Sequence, residues 1–192
     1  MTKPKNREKA LAAFERLLDT MDELREKCPW DKKQTMSSLS HLTIEEVYEA
    51  VEAIHEGDLK GLSGELGDLF LHLVFYCKIG EEQGAFTVDS VLNEICEKLE
   101  RRHPHIYGTT QVKDEEEVKA NWEKIKLKEG RNSILEGVPK ALPALIRAYR
   151  IQEKAAGVGF DFQNLEQIQE KVLEEIEEFS NAASEKDKLE EF

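Results

Sequence analysis

Two groups of acidic residues have the spacing of a metal site. Glu46 and Glu49 lie three residues apart and Glu45 and Glu49 four apart, while Glu65 and Asp68 lie three apart. In helices, each group therefore shares one edge. If the two helices are antiparallel neighbours, their carboxylates face each other. Oxygen-only ligands of this kind suit Mg²⁺ or Mn²⁺, so the pattern predicts a site for a hard divalent cation.

The second acidic group opens one of the most apolar segments of the chain, residues 66–79. We therefore expect the helix that carries Asp68 to be covered by protein on nearly every side. A desolvated carboxylate needs a cation, a hydrogen-bond network or a metal. For Glu45, Glu46 and Glu49 alone, a solvated helix face is the simpler interpretation. The apolar surroundings of Asp68 favour the metal.

Basic residues follow at helical spacing. Lys98, Arg101 and Arg102 lie three and four residues apart near the end of a predicted helix. Arginine is well shaped to bind phosphate oxygens with two hydrogen bonds, so these residues are candidates for a phosphate site. The alternative is that they only offset the negative end of the helix dipole.

Composition limits the classes of function. The chain has 192 residues, of which 40% are hydrophobic, and a net charge of −13 from 27 basic and 40 acidic residues. This charge opposes binding to duplex nucleic acid. The three cysteines, Cys28, Cys77 and Cys96, fit neither a zinc site nor a closed disulfide framework, so we expect a reducing, cytoplasmic location. The apolar runs are shorter than the ~20 residues that cross a bilayer, and no membrane association is expected.

Helical periodicity dominates the chain, and strand patterns are almost absent. Apolar spacing predicts an all-α fold whose first part, residues 1–108, is a compact bundle of four helices with short connections. The fourth of these is expected over residues 88–102, with Ser37 or Ser38 as the cap of the second. A charged helix within 113–128 forms a linker region, 109–138. Two further helices, near 142–155 and 165–183, form a third region, 139–192.

The third region weakly repeats the first. Residues 173–178, Leu-Glu-Glu-Ile-Glu-Glu, mirror residues 44–49, Ile-Glu-Glu-Val-Tyr-Glu, and an aromatic-Asp pair precedes each at nearly equal distance. We interpret this as an incomplete second copy of the same unit. The sequence reaches Phe192 without a following Glu-x-x-Asp motif. A solvated face is therefore the stronger interpretation for Glu174, Glu175 and Glu178.

Taken in order, these motifs resemble a known family. The pattern Glu-Glu-x-x-Glu, a spacer of fifteen residues, and Glu-x-x-Asp is similar to the signature of the MazG family, all-α nucleoside triphosphate pyrophosphohydrolases. Supporting motifs are Cys-Pro-Trp-Asp at 28–31 followed by Gln34-Thr35, and Lys-Leu-Glu-Arg-Arg-His-Pro-His at 98–105. The resemblance covers the whole chain.

The resemblance implies hydrolysis of nucleoside triphosphates between the α and β phosphates, with nucleotide-pool house-cleaning as the role. It also implies a homodimer. Carried onto this sequence, it assigns the Mg²⁺ ligands to Glu46, Glu49, Glu65 and Asp68, and the attacking water to Glu45. Lys98, Arg101 and Arg102 would neutralise the triphosphate, and Trp30 with Gln34 would border the base. A core role is the alternative for Trp30.

Two other classes of function compete with this interpretation. A di-iron carboxylate bundle needs paired Glu-x-x-His elements, of which Glu52 to His55 is one and a second is missing. A catalytically inactive helical scaffold, acting through dimer or partner contacts, is the other. Mg²⁺-dependent release of pyrophosphate distinguishes the enzyme from the scaffold.

Overall fold

The structure is a computed structural model that describes residues 6–130, 133, 135–162 and 164–181. Over these residues the regular elements are helices, without any strand, so the predicted all-α class is confirmed. None of the helices described is both long and apolar enough for a transmembrane span. The chain divides into two compact units, Met1–Leu99 and Glu100–Phe192, and each is described by itself.

The first unit is built from four helices in the predicted order. They are α1 (Arg7–Lys27), α2 (Met36–Glu56), α3 (Leu59–Glu82) and α4 (Val88–Arg102), whose last turn passes into the second unit. A single 3₁₀ turn, Asp31–Lys33, lies between α1 and α2. The predicted bounds of α4 are confirmed.

Local hydrogen bonds fix the start of α2. Thr35 is the N-cap, and its hydroxyl accepts a hydrogen bond from the backbone N–H of Ser38 at 3.1 Å. The Ser38 hydroxyl in turn accepts one from the N–H of Thr35 at 2.9 Å. This reciprocal pair is a capping box with serine at its third position. Ser37 or Ser38 was expected as the cap; this prediction is wrong, since the cap is Thr35 and Ser38 is its partner.

The core of the first unit lies where α1, α2 and α3 meet. Its buried members are Met21, Leu39, Val74, Phe75 and Ile79. Three of these five come from α3, which buries one stripe of its surface against the other helices. Beside the core, the Thr43 hydroxyl lies 2.6 Å from the Tyr76 hydroxyl and 3.0 Å from Nδ1 of His72, which satisfies these polar groups between α2 and α3.

One arginine ties the α1–α2 connection to the core. The Arg25 guanidinium donates to the backbone oxygens of Asp31 and Gln34 and, from Nε, to Glu82 Oε1 at 2.9 Å. Its central carbon also lies 5.4 Å from the centre of the Phe75 ring. The hydrogen bond to Glu82 raises the pKa of Arg25. Arg25 therefore links the end of α1, the 3₁₀ turn and the end of α3.

The expectation that α3 is covered on nearly every side is wrong within this chain. Asp68 is exposed, and Leu66, Phe70 and Leu73 are between 46% and 59% exposed. The apolar run is long enough to supply two faces, and only one of them packs against α1 and α2. The other face is a stripe of apolar side chains spaced four and three residues apart, which faces solvent.

The described residues of the second unit form four helices. They are α5 (Pro104–Tyr107), α6 (Glu115–Lys128), α7 (Ala144–Ala156) and α8 (Leu165–Asn181). Helix α4 ends at Arg102, as predicted. Pro104 begins the short helix α5, since proline is well accommodated in the first helical turn. Parts of the sequence-based prediction lie outside the described residues: positions 131, 132 and 134 of the predicted linker region, the end of the last helix at 182–183, and the stretch that reaches Phe192.

Candidate metal centre and phosphate-binding residues

A tight turn aligns the two acidic groups. Gly57 ends α2 with φ of +71°, a left-handed conformation that glycine adopts without strain. The next residue, Asp58, caps α3 by accepting hydrogen bonds from the N–H groups of Lys60 and Gly61, both at 3.0 Å. The result is an antiparallel helical hairpin. Glu49 lies eight residues before Gly57 and Glu65 eight residues after it, so both lie at the same height.

Three carboxylates of the hairpin converge. Glu46, Glu49 and Glu65 each offer an oxygen, and these oxygens all lie within 4.8 Å of one another. Glu46 and Glu65 are half-buried and Glu49 is exposed. Among the residues that the structure describes, this is the one group of three or more potential ligands with that geometry, and it contains no histidine or cysteine. A donor set made only of carboxylate oxygens fits Mg²⁺ or Mn²⁺.

The electrostatics of Glu49 reflect this crowding. Its pKa is raised above the ordinary value because partial desolvation disfavours the charged form. The neighbouring charge of Glu65 and a hydrogen bond between the two carboxyl groups raise the pKa further, and Glu45 and Glu52 add smaller repulsions. A bound cation would relieve this repulsion between like charges.

The other two acidic candidates lie outside the group of three. Asp68 is exposed on α3, eleven residues after Gly57, at the height of Glu46. Glu45 is exposed on α2, close enough for its charge to act on Glu49. The described structure therefore brings together three of the five predicted carboxylates, and Asp68 and Glu45 stay predictions as ligand and water-orienting group.

The basic residues are found on α4, where two of them already have a partner. Arg101 donates from Nε to Glu129 Oε1 at 2.8 Å, and Arg102 donates from Nη2 to Glu129 Oε2 at 2.5 Å. These hydrogen bonds lower the pKa of Glu129 to about 2. Lys98 forms no hydrogen bond or ion pair with any other described residue. The sequence analysis missed Glu129, and a single glutamate twenty-seven residues beyond Arg102 carries no signal that could have revealed it.

The two residues predicted to border the base lie in the α1–α2 connection. Trp30 is 55% exposed, so the alternative of a core aromatic is not supported. The Gln34 amide donates to the backbone oxygen of Trp30 at 3.0 Å and accepts from the Ser38 hydroxyl at 2.7 Å. Gln34 therefore shapes the connection that presents Trp30.

In the second unit, the repeated acidic motif lies on α8. Lys171 forms ion pairs with Glu174 and Glu175, both at 2.9 Å, and this raises the pKa of Lys171. All three residues lie on one helix and are largely exposed. Within the described part of α8, a solvated face with pairs along the helix accounts for the motif.

The fold and the acidic group define an all-α protein with three converging carboxylates on a helical hairpin, a group that could hold a metal ion. Comparison with known families gives a match to the MazG nucleotide pyrophosphohydrolase domain over residues 34–107, a range that contains the α2–α3 hairpin and the basic residues of α4. A relative from Thermotoga maritima, the nucleoside triphosphate pyrophosphohydrolase/pyrophosphatase MazG, is 43% identical over 93% of this chain and 71% of its own. The chain belongs to the MazG family.

Other relatives agree with this family. The nucleoside triphosphate pyrophosphohydrolase of Escherichia coli K12 is 43% identical over 86% of this chain, and the match spans 65% of that protein. Among solved structures, a mazG-related protein from Thermotoga maritima matches with a TM-score of 0.53 and 26% identity, over 59% of this chain and 98% of that one. The chain thus spans about two thirds of the length of the Escherichia coli relative.

Proposed function

We propose that this chain hydrolyses nucleoside triphosphates between the α and β phosphates, giving the monophosphate and pyrophosphate. The observation that carries the proposal is the convergence of Glu46, Glu49 and Glu65 on the α2–α3 hairpin. Family membership and the names of the curated relatives support the same activity.

The metal would be held by Glu46, Glu49, Glu65 and Asp68. When bound, Mg²⁺ would neutralise phosphate oxygens and so favour attack on phosphorus. Mn²⁺ has the same ligand preferences and would substitute. Asp68 belongs to this set because it lies at the height of Glu46 across the hairpin and is exposed to incoming ligand.

In this proposal Glu45 orients the attacking water and accepts its proton. The water oxygen then bonds to phosphorus while the bridging P–O bond between the α and β phosphates breaks. Glu45 is suited to the role because it is exposed and adjoins Glu49 without being one of the three converging carboxylates. Lys98, Arg101 and Arg102 would bind the phosphate chain, and Trp30 and Gln34 would border the base.

A homodimer is the expected assembly. The two helices of the hairpin carry exposed apolar stripes: Val47, Val51 and Ile54 on α2, and Leu66, Phe70 and Leu73 on α3. Each stripe has the four-and-three spacing of a helix face that packs against another helix. Contiguous exposed apolar surface of this kind is typical of protein–protein interfaces. A second copy of the chain would cover it.

The test is pyrophosphate release from a panel of nucleoside and deoxynucleoside triphosphates, with Mg²⁺ varied from zero to saturation. We expect metal-dependent formation of the monophosphate, lost in Glu46→Gln and in Asp68→Asn. The matched control is Glu97→Gln, which removes one exposed carboxylate of α4 that has no partner among the described residues. This control should keep full activity.

Circular dichroism of each variant shows whether it is folded. A folded wild-type protein that releases no pyrophosphate from any triphosphate would contradict the proposal and favour the inactive scaffold. Activity that persists in Asp68→Asn but not in Glu46→Gln would restrict the ligand set to the three converging glutamates.

A further inference from the structure

The two arginines proposed to bind phosphate already hold an anion of the chain itself. Arg102 donates to Glu129 from both Nε, at 3.2 Å, and Nη2, at 2.5 Å. These two atoms form the edge with which arginine binds a phosphate in a bidentate way. Arg101 donates from its own Nε at 2.8 Å. The Glu129 carboxylate therefore occupies the positions that phosphate oxygens would take.

The contact is sheltered on one side. The side chains of Arg102 and Glu129 are 22% and 21% exposed, whereas Arg101 is 55% exposed. Limited access to water strengthens charge-assisted hydrogen bonds. The hydrogen bonds from Arg102 and Arg101 lower the pKa of Glu129 to about 2. At neutral pH the contact is between full charges.

Glu129 follows the last residue of α6, and a second contact fixes the same helix. Trp122, seven residues or two helical turns earlier, packs edge-on against His103, with ring centres 5.1 Å apart. Its indole N–H is buried and has no hydrogen-bond partner in the described structure. A buried, unsatisfied donor is costly, so this position of α6 is less stable than its contacts alone suggest. Movement of α6 would let water satisfy the indole.

We propose that Glu129 is a built-in competitor of the substrate, which the phosphate chain displaces from Arg101 and Arg102. This inference rests on the proposed function of the two arginines. Arg101 and Arg102 carry two positive charges against the one carboxylate of Glu129. An oligophosphate carries enough negative charge to replace that carboxylate, whereas a singly charged anion does not. The site therefore selects for di- and triphosphates over weakly charged anions.

The test uses inorganic tripolyphosphate without metal, so that binding is measured in the absence of turnover. Isothermal titration compares the wild type with Glu129→Gln, which keeps the shape of the side chain and removes its charge. We expect binding tighter by on the order of tenfold in Glu129→Gln. Glu129→Asp, which keeps the charge but shortens the reach, should lie between the two. Glu116→Gln, an exposed glutamate on the same helix, should bind as the wild type does.

Fluorescence provides a second readout. The chain contains two tryptophans, so a Trp30→Phe background leaves Trp122 as the reporter of α6. Tripolyphosphate should shift its emission to the red in the wild type, and Glu129→Gln should show the shifted emission already without ligand. Equal or weaker binding by Glu129→Gln, or an emission that tripolyphosphate leaves unchanged, would overturn the proposal. Tighter binding in a protein that hydrolyses no triphosphate would leave the competition valid and refute the proposed function instead.

Discussion

Replacing Glu65 with glutamine should change the stability of the protein in opposite directions with and without metal. In the absence of metal, Glu65 contributes repulsion to the group formed with Glu46 and Glu49. The substitution removes this repulsion and should raise the melting temperature. With saturating Mg²⁺ or Mn²⁺, the variant lacks one ligand and should lose most of the stabilisation that the cation gives to the wild type.

The size of the first effect follows from the geometry of the carboxylates, and that of the second from the cation concentration. Oxygens of Glu46 and Glu65 lie within 4.8 Å, and two unit charges at this distance repel by about 0.9 kcal/mol in a water-like dielectric. Salt at ~0.1 M reduces this to about 0.5 kcal/mol, which for a chain of 192 residues is roughly 1–2 °C in melting temperature. A cation at about one hundred times its dissociation constant stabilises the wild type by about 2.7 kcal/mol, or roughly 5–11 °C.

Differential scanning calorimetry with and without MnCl₂ measures both quantities, and Glu97→Gln serves as the control with neither effect. A Glu65→Gln variant that melts below the wild type without metal would show that Glu65 has a structural role instead. A variant that keeps the full shift on adding the cation would show that Glu65 is not a ligand.

Three further expectations follow from other features. Affinity for Mn²⁺, measured by titration calorimetry, should fall as the pH is lowered and should already be halved above pH 4.5, because the raised pKa of Glu49 lets a proton compete earlier than at an ordinary glutamate. An affinity that is halved only below that value would contradict it. Gly80→Ala should lower the free energy of unfolding, measured in urea, by about 1–3 kcal/mol, since its methyl group would lie 2.5 Å from the Phe86 ring. Gly64→Ala, with open space around it, should raise this free energy by roughly 0.5–1 kcal/mol. Equal effects of the two substitutions would show that the Phe86 ring moves aside. Phe70→Glu should convert the expected homodimer to a monomer in sedimentation analysis without loss of helical content, because Phe70 is 54% exposed in the single chain; a variant that stays dimeric would place the interface elsewhere.

The sequence predicted helices well because their signal is local. Apolar spacing and Pro104 were enough to place α4 at Val88–Arg102. The convergence of Glu46, Glu49 and Glu65 was also predictable, since the short turn at Gly57 leaves an antiparallel hairpin as the simple outcome.

Contacts between distant residues were not predictable in the same way. The apolar run of α3 suggested that Asp68 is buried, but Asp68 is exposed. An apolar run indicates that a helix face packs against protein, not that the same chain supplies the packing partner. The pairing of Glu129 with Arg101 and Arg102 depends on the path of α5 and α6, which no local pattern encodes. Gln34 also hydrogen-bonds to the Trp30 carbonyl oxygen and to the Ser38 hydroxyl, contacts that no local pattern predicted, and its place beside the base stays a prediction.

Through Arg25, the conformation of the α1–α2 connection depends on a residue at the end of α3, a dependence that the sequence of the connection does not show. This connection has a single 3₁₀ turn, and its carbonyl oxygens at Asp31 and Gln34 are anchored by a side chain of α1 whose other partner, Glu82, is at the far end of α3. Lysine has no planar fork and could not bind all of these groups at once. Positions 25 and 82 should therefore covary among related sequences. A substitution of Glu82 would change the position of Trp30, which lies in the α1–α2 connection.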